Sequence, residues 1–341
     1  MTRFVRLRSL AKINLDLRIL QRRADGFHEL RTVFQTVSLA DTVEIEFEAA
    51  RKTELKIEDA LDIPNNLVLR AAEAALDAMN MRGRVRFKLR KQIPMGAGMG
   101  GGSSNAAAVL LALPVLAGKT IPYDQLLALG ADLGSDVPFF LAGGTAVAVD
   151  RGTEFYSLPD IKEEPILVVA SGIHVATGPA YQALGRSLTL PDSSRIINDF
   201  QLFARALGDS CSARAASAFS ANDFEPVVFS QYPQLHALFQ RLQRVLSNSA
   251  AGNGARRKAA RTEGDGARMT GSGSALFALF PSRAERDLAE RSLGRDREFQ
   301  GSRIIPAKLV SRGSYQRLWH RQLALHSVAE KTWPPQSRYA R

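Results

Sequence analysis

Pro94-Met95-Gly96-Ala97-Gly98-Met99-Gly100-Gly101-Gly102-Ser103-Ser104-Asn105-Ala106-Ala107-Ala108 is the stretch on which the reading of this chain turns. It lies between an alternating apolar run, Val85 to Leu89, and an Ala/Leu-rich run from Ser104 to about Leu116, so it joins a strand to a helix. Five of the seven residues from Gly96 to Gly102 are glycine. Glycine lets backbone N–H groups turn toward a ligand and approach it closely, and the helix that follows adds unpaired N–H donors and the positive end of its dipole. Together these make a phosphate cradle, with the hydroxyls of Ser103 and Ser104 at the helix start for a phosphate or a magnesium ion. A flexible linker would not be clamped between a hydrophobic strand and an alanine-rich helix. Gly96, Gly98 and Gly101 satisfy the dinucleotide-binding spacing G-x-G-x-x-G, but the helix runs into Gly118, Lys119 and Pro122 rather than into a strand ending in an acid. No Gly-Lys-Ser/Thr follows, which excludes a Walker loop.

Working outward, apolar residues alternate at Ile13, Leu15, Leu17 and Ile19 and again at Val43, Ile45 and Phe47, the period of strands with one face buried. Asn66 to Met79 has helical spacing with an asparagine to cap it. Beyond the loop, the pattern predicts a helix near Tyr123 to Leu133 and strands at Gly144 to Val149 and Ile166 to Ala170. In the second half it predicts helices at Thr177 to Leu184, Arg195 to Leu207 and Pro233 to Leu246, and strands around Ala275 to Phe280 and Arg303 to Val310. Pro159 and Pro165 bracket a polar, acidic stretch that divides the chain, giving domains at 1–158 and 159–312 and a basic tail at 313–341. Ser247 to Ala267 is poor in apolar residues and rich in Gly, Ala and Arg, the composition of a flexible insertion.

The chain has 341 residues, 45% of them apolar, enough for full cores in two domains. Its net charge of +11 raises the question of a nucleic-acid partner, and the location of that charge answers it. Residues 249–268 carry five Lys/Arg against two acids, and residues 303–341 carry eight against one, so these two stretches hold +10 of the +11. A nucleic-acid binder keeps its basic face on the folded body with aromatics interleaved, so the reading is no nucleic acid. No run is long and apolar enough for a membrane span and no signal-peptide core follows the N-terminal arginines, which points to no membrane and to the cytoplasm. The single cysteine, Cys211, supports neither a disulfide framework nor a zinc site.

Several polar residues stand out against this background. Asp136 is a lone carboxylate among small and apolar residues in Gly134-Ser-Asp-Val-Pro-Phe-Phe. It suits either a general base or a helix cap with Pro138 just inside the helix. Lys12 precedes the first alternating strand, where a lysine alone reads as a solvated strand-edge residue. A second glycine-rich turn, Met269-Thr-Gly-Ser-Gly-Ser, precedes a strand, either as a plain turn or as an element that closes over the phosphate loop with Thr270 and Ser272 as donors. Arg23-Ala-Asp-Gly-Phe-His sets Phe27 and His28 beside a turn.

In this order the pieces resemble the GHMP kinases, over roughly residues 8–310. Ala11-Lys-Ile-Asn-Leu is similar to the first motif of that family, Pro94 to Ala107 to its ATP loop and Met269 to Ser274 to its third motif. Arg22-Arg-Ala-Asp-Gly-Phe-His-Glu-Leu resembles the branch whose alcohol substrate carries a cytidine diphosphate. The resemblance implies an α+β, two-domain fold with the active site in the cleft between domains. It implies ATP-dependent, Mg2+-assisted phosphorylation of a hydroxyl on a small molecule, in isoprenoid-precursor synthesis. Lys12 and Asp136 become the catalytic pair, and Pro94, Met95, Gly96, Ala97, Gly98, Met99, Gly100, Gly101, Gly102, Ser103 and Ser104 the ATP loop. Asn66 and Lys91 fall near the adenine. Asn14 positions the hydroxyl, His28 reads the cytosine edge, Phe27 and Tyr181 pack on its ring, and Thr270, Gly271 and Ser272 close on the substrate. Metal ligands and oligomeric state are not implied. The departure from the pattern is the basic stretch Ser249 to Gly264, which puts the docking of the third motif in question.

Overall fold

The computed structural model describes residues 1–185, 193–251, 266–328 and 332–340. The chain opens with two long antiparallel strands, β1 (Arg3–Arg22) and β2 (His28–Ala49), followed by β3 (Glu54–Asp59), α1 (Leu67–Ala78) and β4 (Gly83–Arg90). Three helices follow, α2 (Gly101–Ala117), α3 (Tyr123–Leu133) and α4 (Val137–Ala142), and then the strands β5 (Thr145–Val149) and β6 (Glu154–Ser157). The second half runs β7 (Pro165–Ala170), α5 (Thr177–Ala183), α6 (Ser193–Ser210), α7 (Ala213–Ala216), α8 (Glu225–Gln231) and α9 (Pro233–Ala251). It ends with β8 (Ala267–Met269), β9 (Leu276–Leu279), α10 (Arg283–Gly294), β10 (Arg303–Lys308) and α11 (Arg312–Gln322).

β2 is the spine of the first sheet. β1 pairs with it antiparallel from Arg22↔His28 to Arg3↔Phe47, while its other edge takes β5 at Thr32–Gln35 and β4 at Thr42–Ala49. The strand order is β3-β4-β2-β5-β6, and the second sheet is β10-β7-β9-β8. α2 is apolar all round, and every residue from Ser104 to Leu116 is buried, so it forms the centre of the first core against α1 and the sheet. A second core joins β7 and β9 to α8, α9 and α10. A third seals the two halves, with Ala11, Ile13 and Leu15 of β1 against Val168, Phe277 and Leu309.

Three departures from the sequence reading have physical causes. The alternation along β1 predicts one buried face, yet Lys12, Asn14, Asp16 and Arg18 on the other face are buried too. Lys12 and Asn14 look into the cleft, whereas Asp16 and Arg18, past the bulge, pair with each other and meet the second half at Ala221 and Phe219. The helix expected from Ser104 begins at Gly101, because Gly100 (φ 67°) turns the chain so that its carbonyl already accepts from Ser104 N–H at 2.9 Å. In the stretch expected as a basic tail, 313–341, the described residues pack on the body: α11 buries Tyr315 and Trp319, with Leu323 just beyond it, in the first core. Their spacing at i, i+4 and i+8 is a helical stripe masked by the arginines between them. The basic insertion lies outside the described residues from position 252 onward. Among the described residues no helix is long and apolar enough to cross a membrane.

Candidate active site

Between the halves lies a cleft of about 1230 Å3, lined by β1, the turn before β2, the glycine loop, Asp136, α5 and the second glycine turn. Bulges in the β1–β2 ladder after Leu10 and between Asn14 and Asp16 flank the two polar residues that β1 contributes, a common device for re-aiming a side chain. The Lys12 ammonium lies 3.5 Å from the Asp136 carboxylate, donates to Asn14 Oδ1 at 2.8 Å and sits 4.4 Å above the Phe34 ring. Burial holds its pKa below that of an ordinary lysine, while the Asp136 carboxylate pulls the other way. Asp136 stands at the N-cap of α4, yet its carboxylate caps nothing and remains about a quarter exposed, at 28%. Of the two readings left open by the sequence, the cap has no hydrogen bond to support it.

The glycine loop is fixed by close backbone contacts. Met99 carbonyl accepts from Lys12 N–H at 3.1 Å, and Ala97 carbonyl accepts from Ala275 N–H at 3.3 Å. At Gly98 (φ 75°) a Cβ would stand 2.2 Å from the Thr270 carbonyl oxygen, and at Gly100 it would stand 2.9 Å from the Phe140 ring, so both positions exclude side chains. The N–H groups of Gly101, Gly102 and Ser103 open α2 without intrahelical partners, which is the donor set a phosphate takes. Ser103 is half-buried facing Gly134, whereas Ser104 is buried and its hydroxyl donates to Leu10 carbonyl at 2.7 Å, tying the helix to β1. Met95 is exposed at the loop's rim, and Pro94 leads into it.

Asn14 is fully engaged. Its Nδ2 donates to Thr32 Oγ at 2.8 Å, its N–H to Thr270 Oγ at 3.0 Å, and its Oδ1 accepts from Lys12 and lies 3.1 Å from Thr270 Oγ. The second glycine turn therefore closes on β1 and on the phosphate loop at once. Thr270 is buried; Gly271 and Ser272 line the cleft, and Ser272 Oγ lies 3.0 Å from Thr177 Oγ. Opposite, the His28 ring stacks on Tyr181 with centroids 4.9 Å apart, and Tyr181 meets Phe224 edge-on at 4.8 Å. Burial and Arg22 lower the His28 pKa, which favours the neutral imidazole over the charged one, and burial pushes the Tyr181 hydroxyl up to about 12. Phe27 is 55% exposed at the rim, its ring 4.9 Å from the Arg151 guanidinium.

The two residues expected near an adenine, Asn66 and Lys91, each hold an acid in this structure. Asn66 caps α1 by accepting from Val68 N–H at 3.0 Å and donates to Asp59. Lys91 pairs with buried Asp41 and donates to Asn105 at 3.0 Å, with its ammonium close against Gly101 of the glycine loop. Sequence reasoning missed Thr32, Asp41 and Asn222. Asn222 donates to the carbonyls of Met269 at 2.8 Å and Gly271 at 2.9 Å, holding the second glycine turn in place. Its only signal was Asn-Asp-Phe-Glu-Pro ahead of a helix, which reads as an ordinary cap. Among the described residues no three His, Cys, Asp or Glu converge as a metal site.

Comparison with known proteins agrees with this geometry. Residues 66–144 match the GHMP kinases N terminal domain and residues 254–297 the GHMP kinases C terminal domain. These two matches and the cleft between the halves define a GHMP-type small-molecule kinase. A 4-diphosphocytidyl-2-C-methyl-D-erythritol kinase from Solibacter usitatus is 49% identical over 99% of this chain and 98% of its own length. One from Gloeobacter violaceus is 38% identical over 82% of this chain and 87% of its own. A crystal structure of 4-(cytidine 5'-diphospho)-2C-methyl-D-erythritol kinase superposes with a TM-score of 0.68 at 32% identity, covering 91% of this chain and 99% of that one. The chain belongs to the 4-diphosphocytidyl-2-C-methyl-D-erythritol kinase family.

Proposed function

We propose that the protein transfers the γ-phosphoryl group of ATP to the 2-hydroxyl of 4-diphosphocytidyl-2-C-methyl-D-erythritol, a step toward isoprenoid precursors. The observation that carries this reading is a single cleft holding, side by side, a glycine loop with open N–H donors, a Lys12–Asp136 pair 3.5 Å apart and an aromatic rim of His28 stacked on Tyr181. Phosphoryl transfer asks the protein for position and charge more than for covalent chemistry. The uncapped Asp136 carboxylate accepts the proton of the attacking hydroxyl. The Lys12 ammonium stands between that carboxylate and the loop, where it steadies both the base and the charge on the moving phosphoryl group. Asn14 acts through Lys12, since its amide oxygen fixes the ammonium.

The loop N–H groups and the Ser103 hydroxyl suit the phosphates of ATP. A magnesium ion would take most of its ligands from those phosphates and water, with Ser103 within the same donor set, and would neutralise charge as the bond breaks. A neutral imidazole offers one donor and one acceptor, the pair needed to match the N3 acceptor and amino donor of cytosine. At 4.9 Å, His28 and Tyr181 are in direct ring contact, so a base binds at the open rim by Phe27 or displaces His28 from the stack.

Release of ADP by the purified protein, followed with and without 4-diphosphocytidyl-2-C-methyl-D-erythritol, tests the reading. Turnover should require that alcohol and stop when it is replaced by mevalonate or homoserine. Equal release without it would defeat the assignment.

A further inference from the structure

α4 has six residues, too few to hold a helical shape alone, and Asp136 is fixed to its first turn. Its far end is held by the C-terminal part of the chain. Gly143 N–H donates to Phe139 carbonyl at 2.8 Å, and the next two carbonyls, orphans of any helix end, are both taken from outside the helix. Tyr315 Oη donates to Phe140 carbonyl and Trp333 Nε1 donates to Leu141 carbonyl at 2.9 Å. The fit continues past the helix. A Cβ at Gly143 (φ 67°) would stand 2.4 Å from the Tyr315 ring, and one at Gly144 (φ 78°) would stand 2.6 Å from Arg312 Cβ. Arg312 donates to Thr145 carbonyl at 2.6 Å and to Leu158 carbonyl at 3.0 Å, fixing the strand that leaves the helix. Tyr315 is 1% exposed, and Trp333 is half-buried and packed against the first core, so this contact sits at the edge of the core rather than on the open surface.

We propose that α11 and Trp333 form a strap that sets the position of the Asp136 carboxylate by holding the C-terminal end of α4, making Tyr315 and Trp333 positioning residues for the transfer. Neither side chain reaches the cleft; the effect passes along one rigid turn and a half of helix to a carboxylate whose distance to Lys12 is 3.5 Å. A shift of about an ångström in a reacting group costs up to about a hundredfold in rate, so removal of two anchors that each carry one hydrogen bond should be felt in turnover. The inference rests on the proposed role of Asp136 as base.

The test is a cycle of variants in the full chain. Tyr315→Phe and Trp333→Phe each delete one donor while keeping a ring in the core, and the pair is made in the native protein and in Asp136→Asn. Steady-state kinetics and melting temperature are measured for all. The double strap variant should lose about tenfold in kcat with KM for both substrates nearly unchanged, and should lose nothing further in the Asp136→Asn background, where there is no base left to misplace. Undiminished kcat, with or without a lower melting temperature, would overturn the inference, as would an equal, additive loss in Asp136→Asn. Tyr315→Phe alone, whose ring still fills the space over Gly143, carries the test if the double variant does not fold. A native-like kcat in Asp136→Asn alone would instead sink the assignment of the base, and the strap with it, before any strap residue is touched.

Discussion

At Asp136 two chemistries compete for one carboxylate, and the hydrogen bonds separate them. A capping aspartate accepts from the first-turn N–H groups and its loss costs stability, commonly about 1 kcal/mol. This one caps nothing and faces the Lys12 ammonium. On the proposed assignment Asp136→Asn lowers kcat about a hundredfold or more, since a positioned base supplies that much. ATP affinity and melting temperature should stay close to native, and calorimetry showing an unfolded protein or lost nucleotide binding would restore the cap. The rim of the cleft separates affinity from selectivity in the same way. Stacking contributes roughly 1–3 kcal/mol per base and hardly distinguishes pyrimidines. An unpaired buried edge does distinguish them, because a mismatched polar group loses its partner. His28→Ala should therefore narrow the preference for the cytidine substrate over its uridine analogue, whereas Phe27→Ala should weaken both alike. Competition between the two analogues on each variant decides it, and an unchanged preference in His28→Ala removes His28 from base reading. Single candidates could be picked out along the sequence, Lys12 within its motif and Asp136 as a lone carboxylate among small and apolar residues. What could not be read was commitment: Lys91 and Asn66 look like free polar groups in sequence, and only the fold shows Asp41 and Asp59 engaging them.

Among the elements, the glycine loop was legible because glycines in that density, between a strand and a helix, have few other uses. The pairing of the loop with the second glycine turn was not, since 172 residues separate Gly98 from Thr270 and no local pattern records that their backbones touch. Two substitutions expose the difference. Gly98→Ala must place a methyl 2.2 Å from the Thr270 carbonyl oxygen at a φ of 75°, so the loop and the turn must part. Overpacking of this kind costs about 1–3 kcal/mol. Gly102, inside the first turn of α2, has 3.6 Å to its nearest neighbour, Leu67, and an ordinary φ. There alanine improves helix propensity by up to about 1 kcal/mol. Thermal melts should show Gly98→Ala well below the native protein and Gly102→Ala at or above it; equal melting temperatures would mean that the loop and the turn are not in contact. α11 was illegible for another reason. Its arginines dominate the composition of that stretch, and the Tyr315, Trp319, Leu323 stripe is visible only when spacing is weighed above charge. The β1 alternation was read correctly as strand, but a polar face normally means water, and here it means the cleft at Lys12 and Asn14 and the contact with the second half at Asp16 and Arg18.

For the molecule as a whole, the two halves meet along β1, and acids at and beside the joint take up backbone N–H groups there. Asp16 accepts from Ala221 N–H at 2.7 Å and pairs with Arg18, Asp223 accepts from Ile19 N–H at 2.9 Å, and Glu225 accepts from Met269 N–H at 2.8 Å. Burial raises the pKa of Asp16 to about 6 and that of Glu225 to about 7, Arg18 and Arg268 opposing the shift only in part. These shifts fix the sign of the pH dependence. In the unfolded chain both acids ionise near their ordinary values of 3.8 and 4.5, while in the folded chain they keep their protons longer. Between about pH 4 and 7 the folded state therefore binds more protons than the unfolded one, and stability from these groups falls as pH rises through that window. Glu163 acts oppositely but elsewhere: Lys308 and Ser311 hold it near 2, so its contribution is present above 4.5 and is lost only as pH falls toward 2. From Asp16 and Glu225 the melting temperature should thus decline from about pH 4.5 to 7, opposed in part by His28, whose lowered pKa adds stability as pH rises toward 6.5. Asp16→Asn and Glu225→Gln keep the shape and an acceptor at each site while removing the proton equilibrium, so each should flatten the decline and their effects should combine. Because the joint also carries Asn222 and the second glycine turn, loosening at higher pH should reach the cleft as a weaker grip on substrate. A melting profile that rises over this interval, or one that neither substitution alters, would show that the joint does not titrate as its burial requires.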